Sequence, residues 1–225
     1  MKKIIALVIL SFVIPVELFS QDSLVSQIAS KNFTKFSVHN NTFSGIGWDT
    51  LVNKIKVSDF VLIGEEHLTN EIPSFFEAIT TEVKFDNFFC EMDPYSAKII
   101  ESKIKNLSEI ELNKYTNKFG NVFSFYALEP EFDLLKKFVK SNTTIYGLDQ
   151  IPFMTDRLIS NDLKQKTKSK EAQKIYEHIE LKSLEGFQKF VKDPANIDHP
   201  FLFSDDFSKQ VSNLLQREPL RSYCI

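Results

Sequence analysis

The feature that most constrains this chain is a set of three short apolar runs separated by stretches with helical periodicity. The runs cover residues 60–63, 87–91 and 144–148. Short continuous apolar runs are typical of buried parallel strands, and the 27 positions from Gly64 to Glu91 suit one strand–helix–strand unit. The sequence therefore predicts an α/β fold with a mainly parallel sheet flanked by helices.

The segments around these runs predict helices, because their apolar residues recur at three- and four-residue spacing. The pattern is clear over 70–83 and 131–140, and it continues over most of 152–217. The composition is 43% hydrophobic and 25% charged, which suits a globular domain with a substantial core and excludes a disordered chain. We therefore predict a single α/β domain over 21–225, with 156–225 as a helical extension.

The N-terminus has the pattern of a secretory signal peptide. Lys2 and Lys3 precede an apolar run over 4–16, and Ser20 offers a small residue for cleavage. The alternative is a membrane anchor, but the run is short for a span of about 20 apolar residues. We expect residues 1–20 to be removed, the chain to be exported to a periplasmic or extracellular location, and no membrane span to remain.

Charge and cysteine content narrow the class of partner. The net charge is −3 and no basic stripe is present, so we expect no nucleic-acid partner. Cys90 and Cys224 are the two cysteines, and their number and spacing exclude a zinc-finger-like cluster. Two free thiols are favoured over a disulfide, which remains open. The oligomeric state is open as well.

Acidic residues and a histidine follow the predicted strands. Glu65, Glu66 and His67 follow the first run, Glu91 and Asp93 close the second, and Asp149 follows the third. The carboxyl ends of parallel strands meet in one crevice, so these groups are expected to converge. A histidine beside a carboxylate can act as a general base or bind a metal ion.

Each of these residues also has a purely structural interpretation. His67 could lie at the surface or cap a helix, Glu91 could form a structural salt bridge, and Asp149 could cap the segment after it. Glu65 and Glu66 could belong to a solvated turn. The chain has no Gly-x-Ser-x-Gly elbow, no phosphate-binding P-loop and no dinucleotide fingerprint, which argues against the commonest serine hydrolases and nucleotide-binding enzymes.

Three stretches resemble one superfamily. The segment 59–71 resembles the opening motif of the erythromycin esterase-like proteins, which are grouped with the ChaN-like haem-binding proteins and the TIKI/TraB proteins. The spacing of Gly64 and His67 resembles the ChaN and TIKI form, whereas His67-x-Thr-x-Glu71 resembles the esterases. The strand ending in Glu91 and the stretch 130–149 resemble the later motifs. The similarity covers about residues 45–155.

This resemblance implies a role for each matching residue. It implies that His67 is the general base that activates water, that Glu91 is its partner carboxylate, and that Glu65 is a third catalytic residue that shapes the site. Glu66, Glu71 and Asp149 are expected to bind substrate. The second motif and the second site histidine of the family do not appear after residue 155, which suggests a truncated member.

The resulting prediction is an exported hydrolase that acts on an ester-type bond of a small-molecule substrate. The esterase side of the superfamily implies no cofactor, whereas the TIKI side implies a divalent metal ion and the ChaN side implies haem. The alternatives are therefore a haem-, metal- or small-ligand-binding protein without turnover, or an inactive truncated relative.

Overall fold

The structure is a computed structural model that describes residues 23–64, 68–152, 154–195 and 201–217. The predicted signal peptide and Cys224 lie outside these ranges. Helices predominate in the described chain, which divides into two units between Ile63 and Gly64. None of the helices that the structure describes is both long enough and apolar enough to cross a membrane.

The first unit consists of a helix, a short hairpin and a second helix. Helix α1 covers 23–32, strands β1 (Ser37–His39) and β2 (Thr42–Ser44) pair antiparallel, and helix α2 covers Ile46–Lys56. Asn40 and Asn41 form the turn with positive φ angles, a conformation that asparagine tolerates well. The ring centroids of Phe43 and Trp48 lie 4.9 Å apart and join the hairpin to α2.

The second unit surrounds one pair of parallel strands, β3 (Asn87–Cys90) and β4 (Thr144–Gly147). The other elements are α3 (Glu71–Glu82), α4 (Pro94–Asn106), α5 (Glu109–Phe119), a 3-10 helix (Gly120–Ala127), α6 (Glu129–Lys140), α7 (Thr155–Lys166), α8 (Lys170–Lys192), a 3-10 helix (Phe201–Phe203) and α9 (Asp205–Arg217).

Local sequence accounts for several helix boundaries in this unit. Ser108 and Glu111 form a reciprocal capping box at the start of α5, which satisfies two backbone N–H groups. Ser169 caps α8 by accepting a hydrogen bond from the backbone N–H of Ala172. Helix α4 begins in the same way, with Asp93 as the cap and Pro94 in the first turn.

The core of the second unit lies between the inner face of the strand pair and helices α4 and α6. Phe88 stacks on Phe138 of α6 with ring centroids 4.3 Å apart, and Ile145 lies beside it on β4. Ile100 of α4 and Leu135 of α6 are completely buried. This packing leaves the opposite face of the strand pair exposed.

The predicted mainly parallel sheet flanked by helices is wrong. In the described chain, parallel pairing is limited to β3 and β4, and the other strand pair is antiparallel. The run 60–63 is irregular, with Phe60 81% and Leu62 98% exposed. Four apolar residues cannot specify a strand by periodicity alone, because a strand forms only where a neighbour pairs with its backbone groups.

Candidate functional site

The backbone brings together the ends of β3 and β4. Cys90 is in register with Gly147, and the pairing continues past the strands. The N–H of Leu148 donates to the carbonyl of Cys90 at 3.1 Å, and the N–H of Asp149 donates to the carbonyl of Met92 at 2.9 Å. The segments that carry Glu91 and Asp149 are therefore held side by side, at the same edge of the strand pair.

Glycine is required at position 147 for this close approach. A Cβ atom at Gly147 would overlap the backbone carbonyl oxygens of Met92 and Asp93. The sequence indicates Gly147 only as part of the predicted strand 144–148. Its local role is to let the turn after β3 lie directly against the end of β4.

Glu91 lies on the exposed side of this edge. Burial alternates along the segment, so Phe88, Cys90 and Met92 face the core while Phe89 and Glu91 face outward. Glu91 ends a run that the sequence predicts to be a buried strand, and a carboxylate buried there would need a partner. Its exposure removes this requirement, because a solvated carboxylate carries no desolvation penalty.

Asp149 and Glu71 are exposed as well. Oδ1 of Asp149 accepts the backbone N–H of Gln150 at 2.7 Å, so this carboxylate stabilises the turn after β4. Glu71 is the first residue of α3, where a negative charge interacts favourably with the helix dipole. The structure thus brings Asp149 next to the Glu91 segment, whereas Glu71 lies on a separate element.

The predicted residues Glu65, Glu66 and His67 lie outside the described residues. The described chain resumes at Leu68, two residues before the N-cap position of α3. Their proposed roles therefore remain predictions based on the sequence.

Asp93 shapes the turn after β3, although no catalytic or substrate-binding role was predicted for it. It is buried, and its Oδ1 accepts the backbone N–H groups of Tyr95 and Ser96 at 3.0 and 2.9 Å. Its Oδ2 accepts the hydroxyl of Thr155 at 3.4 Å, which links the turn after β3 to the start of α7. The Asp-Pro pair at the start of a helical pattern is the sequence signal that predicts this cap.

The outer face of the strand pair carries exposed aromatic rings beside Glu91. Phe89 and Tyr146 stack with centroids 5.2 Å apart and are 50% and 46% exposed. Leu148 extends this apolar surface toward the end of β4 and is also exposed. Strands of parallel sheets are normally covered on both faces, so this surface is unusual. A carboxylate therefore lies next to a surface that can contact an apolar or planar group.

A second polar cluster joins α7 and α8, and no sequence pattern had indicated it. Asp156 of α7 accepts the hydroxyl of Ser183 of α8 at 2.5 Å. Burial raises the pKa of Asp156 to about 6, although the hydrogen bonds from Ser183 and the backbone of Arg157 oppose this shift. These partners are far apart in sequence, so local periodicity cannot pair them.

Glu180 of α8 forms the charged part of this cluster. It receives hydrogen bonds from Asn161 at 2.9 Å and Lys164 at 3.1 Å, and it pairs with Lys118 at 2.6 Å. Burial acts to raise the pKa of Glu180, but the hydrogen bonds from these three side chains outweigh it and lower the pKa below its ordinary value.

Among the described residues, no group of three or more His, Cys, Asp or Glu side chains is placed to hold a metal ion. Cys90 is buried, and its thiol donates to the carbonyl of Tyr146 at 3.5 Å.

Comparison with protein-family models, with curated proteins and with solved structures finds no match for this chain.

Proposed function

We propose that this chain is an exported hydrolase that cleaves an ester-type bond in a small molecule. The observation that supports this proposal is the pair of hydrogen bonds from Leu148 to Cys90 and from Asp149 to Met92. They hold two carboxylate-bearing segments side by side at one edge of the parallel strand pair.

In this proposal His67 acts as the general base and Glu91 as its partner. His67 removes a proton from water as the water oxygen attacks the ester carbonyl, and the carboxylate of Glu91 stabilises the imidazolium that results. The ester C–O bond then breaks, and the imidazolium returns its proton to the leaving alkoxide, which releases the acid and the alcohol. Glu65 shapes the site, and Glu66, Glu71 and Asp149 contact the substrate. Asp93 contributes indirectly, because it caps α4 and thereby fixes the turn that carries Glu91.

The exposed rings of Phe89 and Tyr146 suggest where the apolar part of a substrate binds. They lie on the same face of the strand pair as Glu91. An ester with an aromatic or other apolar group next to the scissile bond would place that group on the rings. The substrate class that fits best is therefore a hydrophobic ester rather than a small charged one.

The test is hydrolysis of a panel of chromogenic nitrophenyl esters by the wild-type chain and three variants. We expect His67→Ala and Glu91→Gln to lower kcat/KM by about 10²- to 10⁴-fold, since each removes part of the proton-transfer machinery. Glu177→Gln, on the exposed surface of α8, is the matched control and should keep wild-type activity. Unchanged turnover in His67→Ala would refute the proposal.

The stacked pair of Phe89 and Tyr146 also favours a second candidate, a protein that binds a planar ligand such as haem without turnover. Under this alternative no ester is cleaved, and titration with haemin changes the visible absorption spectrum at a stoichiometric ratio. Phe89→Ala should weaken that binding by about tenfold, the cost of losing one aromatic stacking contact. If the chain neither cleaves an ester nor binds haemin, the remaining interpretation is an inactive relative.

A further inference from the structure

A buried carboxyl group lies at the junction of helices α7 and α8. Asp156 is 5% exposed, and its Oδ1 accepts both the Ser183 hydroxyl at 2.5 Å and the Arg157 backbone N–H at 2.9 Å. Its Oδ2 is buried and has no hydrogen-bond partner in the described chain. An ionised carboxylate is costly in this position, because one of its oxygens has lost water without gaining a donor.

The nearest cation does not compensate this charge by a direct contact. The guanidinium of Arg157 donates to the backbone carbonyl of Lys118 and lies over the ring of Phe119, 5.3 Å from the centroid. Its Nε is buried without a hydrogen-bond partner among the described residues. Arg157 therefore offers Asp156 a backbone N–H and a longer-range attraction rather than an ion pair.

The lysines around this junction interact with another acid. Lys118 and Lys164 both contact Glu180, which lies close to Ser183 along α8. Two further titratable groups, Tyr115 of α5 and Asp162 of α7, interact with this cluster, and both bear a negative charge when ionised. On the side of α4, the acidic group is Asp93, which accepts the hydroxyl of Thr155, the residue before Asp156. Burial therefore favours a neutral Asp156, and the charge of Arg157 opposes it.

We propose that Asp156 and Ser183 form a proton-dependent latch, in which protonated Asp156 holds α8 on α7 and ionised Asp156 weakens this junction. Protonation removes the desolvation cost that burial imposes on the carboxylate. The Ser183 hydroxyl favours the ionised form and opposes this effect, but burial outweighs it. The direction of the effect follows from linkage, because the folded chain binds the proton more tightly than the unfolded chain does. The stabilisation is complete below pH 3.8 and is lost as the pH rises through about 6.

The latch lies next to the candidate site, although it does not depend on the proposed hydrolase activity. Thr155 precedes Asp156 in the first turn of α7 and donates to Asp93, the cap of the helix that follows Glu91. One helical turn therefore contacts both α8 and the backbone behind the site. A change at the junction of α7 and α8 has a direct structural route to the end of β3.

Hydrogen exchange of the full chain tests the latch. After correction for intrinsic exchange rates, peptides from 170–192 should show an opening constant about tenfold larger near pH 7.5 than near pH 5. In Asp156→Asn, which mimics the neutral acid, this difference should disappear. Glu177→Gln, on the exposed surface of α8, is the matched control and should leave the pH dependence unchanged.

A direct titration decides the question if Asp156→Asn does not fold. The side-chain carboxyl carbon of Asp156 can be followed by nuclear magnetic resonance in the wild-type chain. A midpoint near pH 6 supports the latch, whereas a midpoint at or below the ordinary value of 3.8 overturns it. The latch is also overturned if the opening constant of 170–192 has the same pH dependence in Asp156→Asn as in the wild-type chain.

Discussion

Position 147 requires glycine, because two backbone atoms, which cannot move aside as a flexible side chain can, lie where a Cβ atom would be. The carbonyl oxygens of Met92 and Asp93 occupy the space that a Cβ atom would need. Because these carbonyls belong to the turn that carries Glu91, any adjustment moves the candidate site. The residue therefore couples local packing to the geometry of the strand ends.

Gly147→Ala should destabilise the protein by about 2 kcal/mol, the cost of overpacking at a site that cannot relax easily. Gly120→Ala is the control, since the nearest atom to its Cβ would be the Cβ of Ala127 at 4.0 Å, an ordinary contact. Urea unfolding followed by circular dichroism measures both. Equal stability losses in the two variants would contradict the close approach at position 147.

At the scale of elements, strand β3 separates its two faces sharply. Phe88 is 8% exposed; its ring stacks on Phe138 and meets Phe76 edge-on, with ring centroids 5.7 Å apart. Phe89 is 50% exposed, and its ring stacks on Tyr146. Both residues are phenylalanines and they are adjacent in sequence. A comparison of the two alanine variants therefore measures how the face of the strand affects stability.

Phe88→Ala should therefore cost about 3–5 kcal/mol of unfolding free energy, because it leaves a cavity beneath α6. Phe89→Ala should cost less than about 1 kcal/mol, since its ring is already half-solvated. Equilibrium unfolding in urea gives both values. A larger loss for Phe89→Ala than for Phe88→Ala would mean that the register of β3 is shifted by one residue.

The elements also show what the sequence could predict. Periodicity over 70–83 and 131–140 corresponds to α3 and α6, because a helical stripe is a repeated signal over many residues. The strand pair follows the apolar runs 87–91 and 144–148. The run 60–63 looked the same in sequence and forms no strand, because pairing depends on a neighbour that the run itself does not encode.

For the whole molecule, the interactions that sequence patterns cannot predict are those between distant polar residues. Asp156 and Ser183 are 27 positions apart, and neither residue type indicates the other. By contrast, the joining of Glu91 and Asp149 at one edge could be anticipated, because parallel pairing makes it a consequence of topology. The part of the candidate site formed by strand ends and the helix cap at Asp93 were therefore predictable. The contact of Asp93 with Thr155 and the polar cluster needed the tertiary structure.

Two acids of this cluster, Asp156 and Glu180, make the unfolding free energy of the molecule depend on pH. The pKa of Asp156 is raised to about 6, so its contribution to folding is present below pH 3.8 and is lost as the pH rises through 6. The pKa of Glu180 is lowered, so its contribution is present above pH 4.5 and is lost as the pH falls through the lowered value. Between pH 4.5 and pH 6 the contribution of Glu180 is present, while that of Asp156 decreases as the pH rises.

We therefore expect the unfolding free energy to be about 1.4 kcal/mol greater near pH 5 than near pH 7.5, and to fall again under more acidic conditions. Urea unfolding across this pH range measures the profile. Asp156→Asn should remove the decrease toward neutral pH, and Glu180→Gln should flatten the acidic side while leaving the neutral side intact. If Asp156→Asn changed the unfolding free energy only under acidic conditions, Asp156 would stabilise the fold in its ionised form. The junction of α7 and α8 would then depend on the charge of Asp156 and not on its proton.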